Sequence, residues 1–275
     1  AIFFLMHATV TVKTENIRDR TASSSGGFSL IELLVVIAVI AILAAILLPV
    51  LNNAEDRSKT VACENNARQL AVASQLYVTE NNDKFCDTGI VEGDNVARRA
   101  WFDLLFNYSV TTNVLLCPAF KLQPGAIMAG VYPSAPADFA FLNYGFNFEI
   151  GGFDWAGVWP ETMFPPARSA AVKNPAQTVL LADSGSLPQD TRNPAACVTR
   201  QSPQKAGGFI INDPAATAPN ALVVNPINGD WCGPELRHDD GRSVVAMTDG
   251  HVEAMKASQW YWAGTPWLNP AIGGR

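Results

Sequence analysis

The sequence predicts an α+β protein in which one long N-terminal helix packs on an antiparallel β-sheet head with long loops. Three observations carry this reading. Residues 33–51 contain no ionisable side chain. Apolar residues at three- and four-residue intervals then continue to about residue 82. Near the C terminus, Asp240-Gly241 and Asp249-Gly250 punctuate short apolar runs, as two-residue hairpin turns do.

Composition bounds the function classes. A chain of 275 residues with 48% hydrophobic content holds one large domain or two small ones with an ample core. Its net charge of -6 comes without a Lys/Arg stripe, which excludes nucleic acid as the main ligand. Residues 1–27 read as a leader outside the core. Ala1 is not an initiator methionine, and Met6 is a candidate start. Lys13, Arg18 and Arg20 precede the charge-free run, with Glu15 and Asp19 among them, and only Arg57 and Lys59 follow it closely. Counting basic residues alone, the leader is expected in the cytoplasm and the chain beyond about residue 51 outside it.

The border between leader and run reads Gly26-Gly27-Phe28-Ser29-Leu30-Ile31-Glu32. An ordinary signal peptide has a shorter apolar core of about 7–15 residues and a small-residue cleavage site after it. A plain anchor explains neither Gly27-Phe28 nor the lone Glu32. The stretch resembles the processing site of bacterial type IV pilins and of type II secretion pseudopilins. That resemblance implies cleavage between Gly27 and Phe28 by prepilin peptidase and N-methylation of Phe28. It also implies pairing of Glu32 with the N-terminal amine of a neighbouring subunit. A single-pass inner-membrane protein follows, with an exported head that joins other copies or related pilins at an assembly platform to form a pilus-like or pseudopilus-like filament. On this reading the chain is a structural subunit and not an enzyme, and no cofactor is expected. The alternative is a membrane-anchored exported binding or hydrolytic protein that uses a prepilin-type signal.

Residues 28–51 are thus read as a transmembrane and assembly helix, and 52–82 as its amphipathic continuation. Ala62, Gln69, Leu70, Ala73, Leu76 and Tyr77 are expected on its docking face. At 1.5 Å per residue the whole helix would be about 80 Å long, with a possible bend at Pro49 and an end at Asn81-Asn82-Asp83. Residues 83–275 form the head. Within it, the spacing of Trp101, Leu104, Leu105 and Tyr108 predicts a helix over 97–108, and short strands are expected at 114–116 and 178–182. Leu116-Cys117-Pro118, Asn143-Tyr144-Gly145-Phe146-Asn147 and residues 175–183 resemble stretches of a bacterial prepilin-like family with a C-terminal His-Xaa9-Asp-Gly signature.

Here that signature is His238 followed by Asp249-Gly250, with one residue more between them than in the family pattern. Type I′ turns at both Asp-Gly pairs predict a three-stranded meander over about 234–257. Met247 then faces Val252, Val245 faces both Ala254 and Leu236, and His238 faces Ser243. Leu236, Val245, Met247, Val252 and Ala254 share the face turned to the long helix. His238 and Asp249 come out about 15–20 Å apart, too far for a catalytic dyad or a shared metal. His238 is expected as a hydrogen-bonded structural residue, and no metal site is expected. A calcium ion held by Asp183, Asp239, Asp240 or Asp249 is the remaining metal reading. Cys63, Cys86, Cys117, Cys197 and Cys232 follow the membrane run without zinc-type spacing, which leaves disulfides and buried free thiols open. Trp155, Trp159, Trp260, Trp262 and Trp267 read as core or loop anchors, with an exposed aromatic binding patch as the other reading.

Overall fold

The structure is a computed structural model that describes residues 29–92, 96–108, 110–120, 143–152, 165–187, 198–199, 206–207, 210–215, 231–239 and 241–274. Helix α1 runs over Leu30–Glu80, through Pro49. The chain divides into two compact units, residues 1–49 and 50–275. In the first, the helix is long and apolar enough to cross a bilayer, and every described residue is exposed. A water-soluble surface rarely shows so continuous an apolar band.

In the second unit α1 turns a face of small residues inward. Thr60, Cys63, Ala67, Leu70, Ala71, Ala73, Ser74 and Val78 are buried. The expected docking face is therefore corrected: Leu70 and Ala73 belong to it, but Gln69 and Leu76 are exposed and Ala62 and Tyr77 half-buried. Apolarity alone misleads here, because exposed Val61, Val72 and Leu76 are unremarkable on a helix, whereas small side chains are what let a sheet approach closely. The helix ends as expected. Asn82 and Asp83 take positive φ of 55° and 66°, and Asp83 N donates to Val78 O at 3.1 Å, a Schellman-type closure.

Ten strands follow: β1 (Gly89–Glu92), β2 (Val96–Ala100), β3 (Tyr144–Asn147), β4 (Val179–Leu187), β5 (Val198–Thr199), β6 (Ala206–Gly207), β7 (Ile210–Ile211), β8 (Trp231–Leu236), β9 (Arg242–Met247) and β10 (Val252–Lys256). β1 and β2 form a hairpin of their own. The main sheet has the order β10-β9-β4-β3-β7, and the far half of β4 pairs with β8 and β6. Most pairs are antiparallel, while β3–β7 and β5–β8 are parallel. β4 is central because it can be: its residues from Val179 to Ser184 are all buried, as a strand covered on both faces requires. A bulge between Val179 and Leu181 turns Leu180 and Leu181 both toward the core that contains α1. Val179 and Ala182 face a second core with Trp260 and Leu268.

Three local expectations are corrected. Residues 96–100 are strand, claimed by pairing with β1, so the helix begins only at Trp101 (α2, Trp101–Leu105), where Trp101 stacks on Phe146 at 5.7 Å. Residues 114–116 are not a strand; Thr112–Leu115 is a 3-10 turn that delivers Cys117 to the helix. The C-terminal meander is not three-stranded either, since β9 lies between β10 and β4, and β8 pairs with β4, the chain beyond it joining β9 at the isolated His238–Arg242 bridge.

The meander register is shifted by one residue. Val252 faces Ala246 and Ala254 faces Val244. The turn holds three residues, Thr248-Asp249-Gly250, with Gly250 N bonded to Met247 O and Gly250 at φ 93°, and Asp249 has no positive φ. That is a type I turn closed by a left-handed glycine, not type I′. His238 and Arg242 likewise exchange both backbone hydrogen bonds across three intervening residues, the last being Gly241 at φ 76°. One residue of slip exchanges the faces of a strand. Val244 and Ala246 therefore join the α1 core, and Val245 and Met247 the opposite one.

Two outcomes test this account. Gly250→Ala forces a Cβ into left-handed backbone and should cost about 1–2 kcal/mol, read from the denaturant midpoint at unchanged m. Asp83 accepts from the Ser169 hydroxyl and from Ala170 N, and these bonds hold its pKa below the ordinary 3.8. Stability from a carboxylate lowered in this way is present above pH 3.8 and lost as pH falls through the folded value. The stability gap between wild type and Asp83→Asn should therefore be constant near neutrality and close on the acid side.

Candidate functional site

Two sets of residues were singled out by the sequence, one at the head of α1 and one at the C-terminal signature. Gly27 and Phe28 lie outside the described residues. Glu32 is on the first turn of α1, where its carboxylate accepts from Ser29 N at 2.9 Å and Ile31 N donates to Ser29 Oγ at 3.3 Å. Ser29 and Glu32 thus cap the helix start together, as in a capping box except that the Ser29 hydroxyl accepts from Ile31 N and not from Glu32 N, which satisfies helix donors that would have no water in a membrane. The Ser-Xaa-Xaa-Glu spacing carried this signal, and the sequence reading used Glu32 for assembly alone.

At the signature, the structure separates His238 from Asp249. Asp249 caps its own turn, accepting from His251 N at 3.0 Å and lying 2.8 Å from His251 Nδ1, both side chains being exposed. His238 is buried, and its partner is a residue on another strand. Its Nε2 is 3.0 Å from Asp183 Oδ2, and its Nδ1 is 3.1 Å from Thr60 Oγ1 on α1. Asp183, one of the four carboxylates named for calcium, is a β4 residue, and Val244 N also donates to its Oδ2 at 2.6 Å. Asp240 lies outside the described residues.

Around this pair the structure buries a set of charges that sequence reasoning did not assemble. Arg237 is fully enclosed, donating from one terminal nitrogen to Ser184 O at 2.7 Å, to Glu235 Oε2 at 2.8 Å and to Asn143 O at 3.2 Å. Its other terminal nitrogen is 3.7 Å from Asp183 Oδ1, and its guanidinium lies 5.0 Å from the Phe120 ring centroid. β4, β8 and the 143–147 strand region all end their polar atoms on this one cation. Tyr144, whose hydroxyl donates to Cys63 O at 3.2 Å, closes one side; burial pushes its pKa well up, so it remains a neutral donor. No local pattern hinted at the cluster, because Glu235, Arg237 and His238 lie in a polar stretch that continues through Asp239 and Asp240 and reads as exposed.

Cys63 on α1 and Cys117 form a disulfide with Cα atoms 5.2 Å apart, and Cys117 Sγ is 3.5 Å from His238 Nε2. Closing a loop of 54 residues is worth about 4 kcal/mol on chain-entropy grounds. Cys86 is a buried free thiol, which desolvation holds in the protonated form. Cys197 lies outside the described residues. Trp260 is buried, Trp267 half-buried and Trp262 at the margin of exposure, so the described tryptophans act mainly as anchors; Trp155 and Trp159 lie outside the described residues.

Removing one member of a buried charged set strands the others. Arg237→Met should destabilise the head by about 3–5 kcal/mol, whereas Arg242→Ala, at the exposed rim, should stay within about 0.5 kcal/mol. Urea unfolding monitored by tryptophan fluorescence reads both.

Residues 22–48 match the prokaryotic N-terminal methylation motif. Comparison with curated proteins and with solved structures yields no match. The matched stretch contains Gly27, Phe28 and Glu32 and stops short of the head, so the His238 and Asp249-Gly250 signature stands outside it. Together, the motif and the exposed apolar helix that carries it support a type IV pilin-like, membrane-anchored exported protein.

Proposed function

We propose that this chain is a structural subunit of a type IV pilus-like or type II secretion pseudopilus-like filament. Prepilin peptidase cuts between Gly27 and Phe28, and Phe28 is N-methylated. The observation that carries the reading is the coincidence of three features on one segment: the methylation motif, an apolar helix exposed at every described position through residue 51, and a single carboxylate in it. An apolar surface of this extent needs either lipid or the same surface of other copies. A filament core supplies the second after the membrane has supplied the first.

Glu32 then has two tasks. Within one subunit it caps its own helix through Ser29 N. A carboxylate in hydrocarbon still costs about 2.5–3.5 kcal/mol on insertion scales, and the amine of a neighbour's Phe28 offsets that by direct ion pairing. Because the pair forms at one axial offset only, it also sets the register of assembly. The basic leader stays in the cytoplasm and the head is exported across the inner membrane, following the positive-inside bias. The partners of this reading are prepilin peptidase, other pilin-like copies and an assembly platform. The chain acts by assembling and not by catalysis.

The experiment is mass spectrometry of the mature N terminus combined with fractionation of sheared filaments. Wild type should begin at N-methyl-phenylalanine 28 and appear in the sheared fraction. Glu32→Ala should be cut at the same bond but remain in the membrane. A wild-type protein that is processed yet never leaves the membrane fraction would instead favour a tethered exported binder.

A further inference from the structure

We propose that Cys63, Cys117 and His238, with Asp183 as fourth ligand, form a closed tetrahedral site for zinc or a similar borderline-soft divalent ion once the Cys63–Cys117 disulfide is reduced. The inference rests on the head alone and is independent of the filament reading. Among the described residues, these two cysteines and this histidine are the group whose ligand atoms converge, all lying within 4.8 Å of one another. Asp183 Oδ2 is 3.0 Å from His238 Nε2 but stands outside that mutual set, so it completes the site as fourth ligand only when the two sulfurs, bonded to each other in the oxidised chain, part on reduction. Ligand atoms around tetrahedral zinc stand about 3.3–3.8 Å apart, given metal–ligand distances near 2.0–2.3 Å. The 3.5 Å from Nε2 to Cys117 Sγ already fits such an edge.

The hydrogen bonds around the histidine point the same way. Thr60 Oγ1 donates its one proton to Asp56 O at 3.0 Å, which leaves His238 Nδ1–H to donate to Thr60 at 3.1 Å. In that tautomer Nε2 presents a lone pair toward a carboxylate oxygen and a sulfur. A lone pair and a carboxylate oxygen at this distance repel unless a proton or a metal ion lies between them. The Nδ1–H···Oγ–H···O=C relay is also the outer-shell arrangement that orients metal-bound histidines, and Val244 N holds Asp183 in the same way. The site is dry: Cys63, Asp183 and Ser184 are fully enclosed, and Cys117 and His238 are only 3% and 2% exposed. Two thiolates with one imidazole and one carboxylate suit zinc over magnesium or calcium.

The chemistry balances in two steps. A phosphine with one water reduces the disulfide to two thiols and becomes the phosphine oxide. A divalent ion then displaces the two thiol protons, so the charge of the buried set does not change. Disulfide and metal are thus alternative cross-links of the same junction between α1, the Cys117 turn, β4 and the chain just beyond β8.

The test uses the full chain in detergent, reduced anaerobically with a phosphine, desalted and titrated with cobalt(II). One cobalt per chain is expected, with tetrahedral d–d bands and thiolate-to-cobalt charge transfer, and zinc should displace it. Bound metal should shield Cys63 and Cys117, and not Cys197 or Cys232, from maleimide in a peptide map. Cys117→Ser should weaken binding at least tenfold and lose charge-transfer intensity, and Cys86→Ser should change neither. If the reduced chain unfolds, restoration of its circular dichroism by cobalt supports the site. Failure of reduced wild type to take up stoichiometric cobalt, folded or not, overturns it, as does shielding of Cys197 and Cys232 instead.

Discussion

The head is organised around one buried carboxylate. Asp183 sits in the middle strand of the sheet with no access to water, so its charge must be balanced by protein groups alone. It receives Val244 N from β9 and lies beside the Arg237 guanidinium, and the His238 ring, from the chain just beyond β8, packs against it. Arg237 in turn gathers Glu235 and the carbonyls of Ser184 and Asn143. Four chain segments thereby have one mutual arrangement around these ions. A buried set like this contributes less to net stability than an apolar substitute of the same volume would. What it does impose is geometry, because a slip of one residue in β8 or β9 would leave an ion without a partner.

The long helix is subject to a different constraint in each unit. Up to Pro49 it is apolar on every side, which suits lipid or like helices. Beyond that point its inward face is built from Thr60, Cys63, Ala67, Ala71 and Ser74. Small residues sacrifice apolar area per side chain but let the head come close enough for polar and covalent links: Tyr144 to Cys63 O, Gln75 to Thr248 O, Thr60 to His238 and the Cys63–Cys117 bond. The helix from residue 50 on is therefore joined to the head by specific links as well as by hydrophobic burial.

Legibility in the chain follows from how local the cause is. The exposed apolar span, its lone carboxylate and the helix stop at Asn81-Asn82-Asp83 are each written in a few consecutive residues, and each is found where expected. The central strand at 178–182 was visible as a short apolar run. The hairpin at Asp249-Gly250 was visible too, but not its register, since a three-residue turn with one left-handed glycine and a two-residue type I′ turn use the same dipeptide. The helix over 97–108 failed in its first half because strand pairing with residues 89–92 overrode a helical spacing that only Trp101 onward sustains.

By itself, the sequence determined the membrane-type helix, the processing motif at its head and the α+β class, because charge absence, glycine placement and periodicity act over one or a few turns of chain. Only the tertiary structure decided that His238 belongs with Asp183 and not with Asp249, that Cys63 reaches Cys117, and that Arg237 is the buried cation joining three strands. Apart from the local Arg237–Glu235 contact, those pairings link residues 53 or more positions apart. Burial makes them necessary, and no local pattern encodes which distant group will be there to meet an enclosed charge.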